Sequence, residues 1–138
     1  MSQEGARHRA GLWLRQADAT ICGRHACFRG GGQAAQACFQ AQQVGEKAIK
    51  ALLAAEDRDL RSHSLTHLLR ELGPEPAVRW QRQARVLDKL YAPTRYPDAL
   101  GDDLPADVFG PEDAAAALEA ATALLNWARE ALEASDEN

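Results

Sequence analysis

Two stretches of the chain carry chemically competent side chains at useful spacings. In "CFQAQQVGEKAIKALL", residues 38–53, Gln42 and Glu46 fall one helical turn apart, on the same stripe as Phe39, Ile49 and Leu53. A carboxylate buried without partners is costly, so Glu46 must be paired or border water. Two arrangements satisfy it. In one, Glu46 accepts a charge-assisted bond from Arg95, or from an arginine of the first helix such as Arg24, and locks a loop onto the body of the protein. In the other, Gln42 and Glu46 line a polar cleft, with a seam between two copies as one setting for it, and read a base or a ribose. Lys47 and Lys50 sit one position round, at the edge of the stripe, where they are either solvated or attract phosphate. With Arg79, Arg82, Arg85 and Arg95 they could form a basic wall for a nucleotide or an RNA backbone.

The second stretch is "YAPTRYPDA", residues 91–99. Pro93 and Pro97 restrict the backbone on either side of Thr94, Arg95 and Tyr96, which makes a stiff loop. A stiff loop that displays a hydroxyl, a guanidinium, a phenol and the carboxylate of Asp98 suits ligand contact. Equally, Tyr96 could plug the core while Arg95 and Asp98 hold the loop shut.

Other patterns carry less. His63, His67 and Glu71 are spaced by four and would share a helix face, but the spacings that announce a metal site on a helix are missing, and a satisfied core or capping role is the better reading. Cys22, His25 and Cys27 scatter around a helix and read as inert. "GGG" at 30–32 has neither the spacing nor the preceding strand of a phosphate-binding loop. No metal or cofactor is expected.

These groups have to be positioned by helices, because the periodicity is helical nearly throughout. A first helix is predicted from about Arg7 to Phe28, with Trp13, Ala17, Thr20 or Ile21 and Arg24 in succession, and it ends at "RGGGQ". A second runs from about Gln33 to Glu56. "SHSLTHLLREL" opens with serines that can cap, aligns Leu65, Leu68, Leu69 and Leu72, and stops at "GPEP". A fourth helix is predicted from Ala77 through Tyr91, with Arg79, Arg82 and Arg85 largely off its seam. Ala92 to Gly110 lacks any period and reads as a long ordered loop that packs. The last helix opens at "GPED", with Pro111 in its first turn. Its small residues Ala114, Ala117, Ala121 and Ala128 allow another helix, from this chain or a second copy, to approach closely.

Bulk properties agree. The 138 residues suffice for one domain with one core, with ends at about 1–6 and 134–138 expected to be flexible. At 46% hydrophobic and 26% charged, the chain is too apolar to be disordered. No apolar run approaches the roughly 20 residues that span a bilayer. "MSQEGARHRAGLWLRQ" lacks the apolar core of a secretory signal, and Cys22, Cys27 and Cys38 form no redox or zinc pair motif, so the expected compartment is the cytoplasm. Residues 1–95 hold 15 Lys or Arg against 9 Asp or Glu, while residues 96–138 hold 1 against 11. Either the two segments neutralise each other by packing, or the basic part attracts a phosphate-bearing ligand.

"CFQAQQVGEKAIKALL", then "HSLTHLLREL", then "LDKLYAPTRYPDAL" and a closing alanine-rich helix with Trp127 resemble, in that order, the HEPN family, the higher eukaryotes and prokaryotes nucleotide-binding domains. The resemblance covers about Trp13 to Leu132. Its most specific parts are the register Gln42, Glu46, Lys47, Lys50 and the string Thr94 to Asp98. The four long helices and one short one read from the periodicity predict an all-α bundle, and the resemblance implies an up-and-down arrangement of them. The resemblance also implies a homodimer that binds nucleotide or nucleic acid, often beside a minimal nucleotidyltransferase with which it assembles. The candidate ligand-binding set is then Gln42, Glu46, Lys47, Lys50, Tyr91, Thr94, Arg95, Tyr96 and Asp98.

A competing implication is a toxin-like endoribonuclease of a toxin–antitoxin pair, because many members of this superfamily cut RNA without metal through Arg-x(4–6)-His. Arg58 with His63, and Arg61 with His67, match that spacing. The histidine would take the 2′-hydroxyl proton and the arginine would stabilise the phosphorane-like charge. Position argues against it: in the superfamily the motif belongs near the final helix, and residues 105–138 contain no histidine and only Arg129. A third class is an assembly subunit with no ligand.

Overall fold

A computed structural model describes residues 3–29, 34–91 and 109–136, and the backbone alone at 21–29 and 136. The described chain is helical and contains no strand. Three helices are long: α1 (Gln3–Arg29), α2 (Ala34–Ala55) and, last in the chain, α6 (Pro111–Asp136). Three are short: α3 (Leu65–Leu72), α4 (Pro74–Arg79) and α5 (Gln81–Asp88). The all-α bundle expected from the periodicity is what forms.

α2 is the central element, packed along both α1 and α6. It buries Ala37, Cys38, Ala41, Val44, Ala48, Ile49, Leu52 and Leu53, and α3 adds Leu65, Leu68 and Leu69. Gly45 is where the short helices come closest. A Cβ there would lie 2.6 Å from Leu87 Cδ1 and 2.8 Å from Leu65 Cδ2, so the missing side chain lets α3 and α5 approach α2 together. Ala114, Ala117, Ala121 and Ala128 of α6 are fully buried within the chain. Their small face is therefore covered within the same molecule, where α6 packs chiefly on α2, and is not open to a second copy.

Local chemistry explains the ends. α2 ends at Ala55, and the turn that follows places Asp57 at φ 60° while Arg58 N–H bonds back to Leu53 O at 2.9 Å. Arg9 of α1 pairs with the Asp57 carboxylate there. Ser64 caps α3 by accepting from His67 N–H at 3.2 Å, as its position suggested. Gly73, at φ 147°, ends α3 and lets Pro74 open α4. α6 begins as "GPED" predicts, with Gly110 N–H donating to Asp113 Oδ2 at 2.9 Å.

One boundary differs. The single helix expected from Ala77 to Tyr91 is broken at Trp80, whose φ of −106° and ψ of 15° leave the helical region. Its indole packs on Trp127 of α6 with ring centroids 5.1 Å apart. A tertiary contact lies at the point where the local pattern, which favoured continuity, gives way. The loop predicted between Ala92 and Gly110 falls outside the described residues except for its last two positions. No helix among the described residues is long and apolar enough to cross a membrane.

Candidate functional site

The site grows from α2 outward. Gln42 and Glu46 project towards residues 58–64, the segment that joins α2 to α3. Gln42 is fully buried and Glu46 is 5% exposed. Neither is left unsatisfied. Gln42 Nε2 donates to the His63 carbonyl at 3.3 Å and to Glu46 Oε1 at 3.4 Å, while Gln42 Oε1 accepts from Gln43 Nε2 at 2.6 Å. Glu46 Oε2 accepts from Lys50 Nζ at 3.1 Å, and its Oε1 lies 3.2 Å from His63 Nδ1. The amide of Gln42 satisfies a carbonyl of the joining segment, and the carboxylate of Glu46 is held by the side chains of Gln42, Lys50 and His63.

Lys50 is an internal counter-ion. Only 11% of its side chain is exposed, and its ammonium sits 5.6 Å from the centroid of the Trp13 ring of α1. It therefore lies inside the stripe's edge and away from solvent. Lys47 is half-buried and donates to Thr20 Oγ1 at 3.3 Å, which ties α2 to α1. Arg79, Arg82 and Arg85 are exposed, with Arg79 stacked 5.1 Å from the Trp80 ring.

The buried network reaches the surface through His63. Half of that side chain is exposed, and its ring stacks on Tyr91, with centroids 4.9 Å apart and planes 14° from parallel. His63, Ser64, Asp88 and Tyr91 line an open cleft of about 300 Å³. Asp88 gives the wall its form. Its Oδ1 accepts from Leu65 N–H at 2.7 Å, and its Oδ2 from Thr66 N–H at 3.1 Å, Thr66 Oγ1 at 2.7 Å and Ser64 Oγ at 3.3 Å. A carboxylate from the end of α5 thus meets the positive end of α3, where unpaired N–H groups need an acceptor.

Of the residues singled out from sequence, Gln42, Glu46 and Lys50 belong to one connected network that His63 links to Tyr91. Lys47 points to α1 instead. Thr94, Arg95, Tyr96 and Asp98 lie outside the described residues, as does the side chain of Arg24, so neither proposed arginine partner of Glu46 is placed. Sequence reasoning overlooked Asp88 and the bond between His63 and Glu46. A faint signal for Asp88 exists: it is the lone acid in "QRQARVLDKLY", ahead of which no helix start needs it locally.

The row His63, His67, Glu71 does not share one helix face, because His63 precedes α3 and its ring is half exposed, not part of a core. No group of three or more metal-ligating side chains occurs among the described residues. Arg58, the partner that spacing gave to His63, is engaged by Glu71 through Nη2–Oε2 at 2.7 Å. Cys38 is enclosed, and burial, with Asp113 nearby, raises its thiol to about 11.

Comparison with known proteins is consistent with this architecture. The HEPN domain family matches over residues 10–131. The crystal structure of TT1696 from Thermus thermophilus is similar with a TM-score of 0.80 and 36% identity, covering 88% of this chain and 97% of that one. The crystal structure of ST0689, an archaeal HEPN homologue, is similar with a TM-score of 0.76 and 33% identity, covering 90% and 98% of the two chains. No curated protein matches.

Proposed function

The chain belongs to the HEPN family, and from that premise we propose that it is a nucleotide- or nucleic-acid-binding subunit whose ligand enters the cleft at His63, Ser64, Asp88 and Tyr91. The observation that carries this reading is the way a buried polar network ends at a half-exposed aromatic pair beside an open cleft. Such a network is expensive to maintain in a core and holds the His63 ring in place, which is what a preorganised binding wall requires. Stacked aromatic surfaces with neighbouring polar groups suit a base. Thr94, Arg95, Tyr96 and Asp98 remain candidate ligand contacts in this reading on the strength of the family resemblance.

The subunit acts as a homodimer and assembles with a minimal nucleotidyltransferase in this reading, on the strength of the family resemblance. Support for the endoribonuclease alternative is weaker, because the commitment of Arg58 to Glu71 leaves His63 without its spaced arginine.

Equilibrium dialysis against radiolabelled ribonucleoside monophosphates and a short single-stranded RNA tests the proposal. Saturable binding that weakens at least tenfold in His63→Ala, with an unchanged helical spectrum, is expected. A folded protein that takes up none of these probes overturns it.

A further inference from the structure

The cleft has a chemical polarity that narrows its ligand. We propose that Glu46 is a positioning residue that fixes His63 as the Nδ1–H tautomer, so that His63 Nε2 and Asp88 Oδ1 face the cleft as acceptors and take a guanine base by its two neighbouring donors, N1–H and N2–H2. This rests on the nucleotide-binding reading above and specifies the base.

Donor and acceptor inventories fix the hydrogens. Glu46 is paired with the Lys50 ammonium and, as a carboxylate, can only accept. The contact of 3.2 Å between its Oε1 and His63 Nδ1 therefore places the hydrogen on Nδ1. In the neutral ring the lone pair is left on Nε2, the nitrogen that the carboxylate does not engage. Ser64 Oγ offers nothing further as a donor, because its hydroxyl is directed to Asp88 Oδ2. It also accepts from His67 N–H. Asp88 Oδ2 already takes three donors, while Oδ1 takes one and has room for a second.

A pair of acceptors at His63 and Asp88, beside a Tyr91 hydroxyl that can donate or accept, discriminates among bases. Adenine and cytosine alternate a donor with a ring-nitrogen acceptor on the pairing edge, and uracil places one donor between two acceptors. Guanine has two adjacent donors. A phosphate group is repelled by Asp88 and has to lie outside this part of the cleft.

Binding of GMP, IMP, AMP and N1-methyl-GMP to the unaltered protein tests the inference without relying on any variant. GMP should bind roughly tenfold or more tighter than AMP, with IMP between them and N1-methyl-GMP weakened like AMP. The tautomer is read separately by ¹⁵N NMR of the imidazole. At a pH that keeps the ring neutral, Nε2 should show the shift of an unprotonated nitrogen in the native protein. In Glu46→Gln, whose amide can donate to Nδ1, the protonated nitrogen should move to Nε2 and the preference for GMP should fall. Equal affinity for GMP and AMP, or a native Nε2–H tautomer, overturns the inference while leaving nucleotide binding in place. Failure of every nucleotide to bind removes the reading beneath it as well.

Discussion

The carboxylate of Glu46 and the imidazole of His63 meet at 3.2 Å, so a buried turn of α2 is joined to a ring at the protein surface. Lys50 holds the other oxygen, and Gln42 fixes the His63 backbone. The same four groups therefore serve the fold and the cleft. Loss of Glu46 leaves the Lys50 ammonium without its carboxylate, and loss of Lys50 leaves Glu46 Oε2 without its donor, whereas loss of the His63 ring leaves Glu46 Oε1 still bonded to Gln42.

Removing the carboxylate strands the Lys50 ammonium in a nearly closed site. Glu46→Ala should cost about 3–5 kcal/mol of unfolding free energy in urea denaturation. Glu46→Gln, which retains the shape and some of the hydrogen bonds, should cost less. A loss under about 1 kcal/mol for the alanine variant would show that Lys50 finds water easily and that the network is not structural.

Asp88 closes the exposed start of α3 from the end of α5. Asp88→Ala should destabilise by about 2 kcal/mol, through loss of an anionic acceptor at a helix N-terminus. Native-state hydrogen exchange offers a local test, because the amides of Leu65 and Thr66 should lose protection well before those of α2 do. Uniform changes across the molecule would assign Asp88 no special part in α3.

Two glycines in helices should respond with opposite sign. At Gly45 the side-chain space is filled by Leu65 and Leu87, so Gly45→Val should lower stability by about 1–3 kcal/mol through overpacking. Nothing approaches within 4 Å of a Cβ at Gly11, so Gly11→Ala should raise it by roughly 0.5–1 kcal/mol through helix propensity alone. Thermal melts of the two variants decide the matter; a Gly45→Val protein as stable as the unaltered one would refute the packing assigned to Gly45.

Cys38 should be unreactive in the folded protein. Its thiol is pushed up to about 11 from an ordinary 9.0, first by burial and then by Asp113. Since the acid form is favoured on folding, its contribution to stability is complete below the unfolded thiol's range and is lost as the pH rises from about 9 to about 11. At pH 8 iodoacetamide should label Cys38 only after denaturant is added. Rapid labelling of Cys38 in the native state, by mass spectrometry, would contradict the burial.

The helical bundle was legible because its signals are short in range. The leucine and alanine spacing of α2, α3 and α6 marks their buried faces, Ser64 and "GPED" mark two helix starts, and the order of motifs marks the family. The interruption of a greasy stripe by Gln42 and Glu46 was visible too. Their partners were not. His63 is 17 residues from Glu46, and Asp88 bonds to residues 22 to 24 positions before it. Periodicity carries no information on contacts of that separation.

The sequence alone thus determined the helices, their apolar faces and the presence of a polar pair that needed satisfying, because helix formation and side-chain facing depend on neighbours within a few positions. Tertiary structure alone decided that Lys50 turns inward to Trp13, that Trp80 breaks a helix at its contact with Trp127, and that His63, Tyr91 and Asp88 meet at one cleft. Those outcomes depend on how separate helices lie against one another, and hydrogen bonds need groups within about 3 Å.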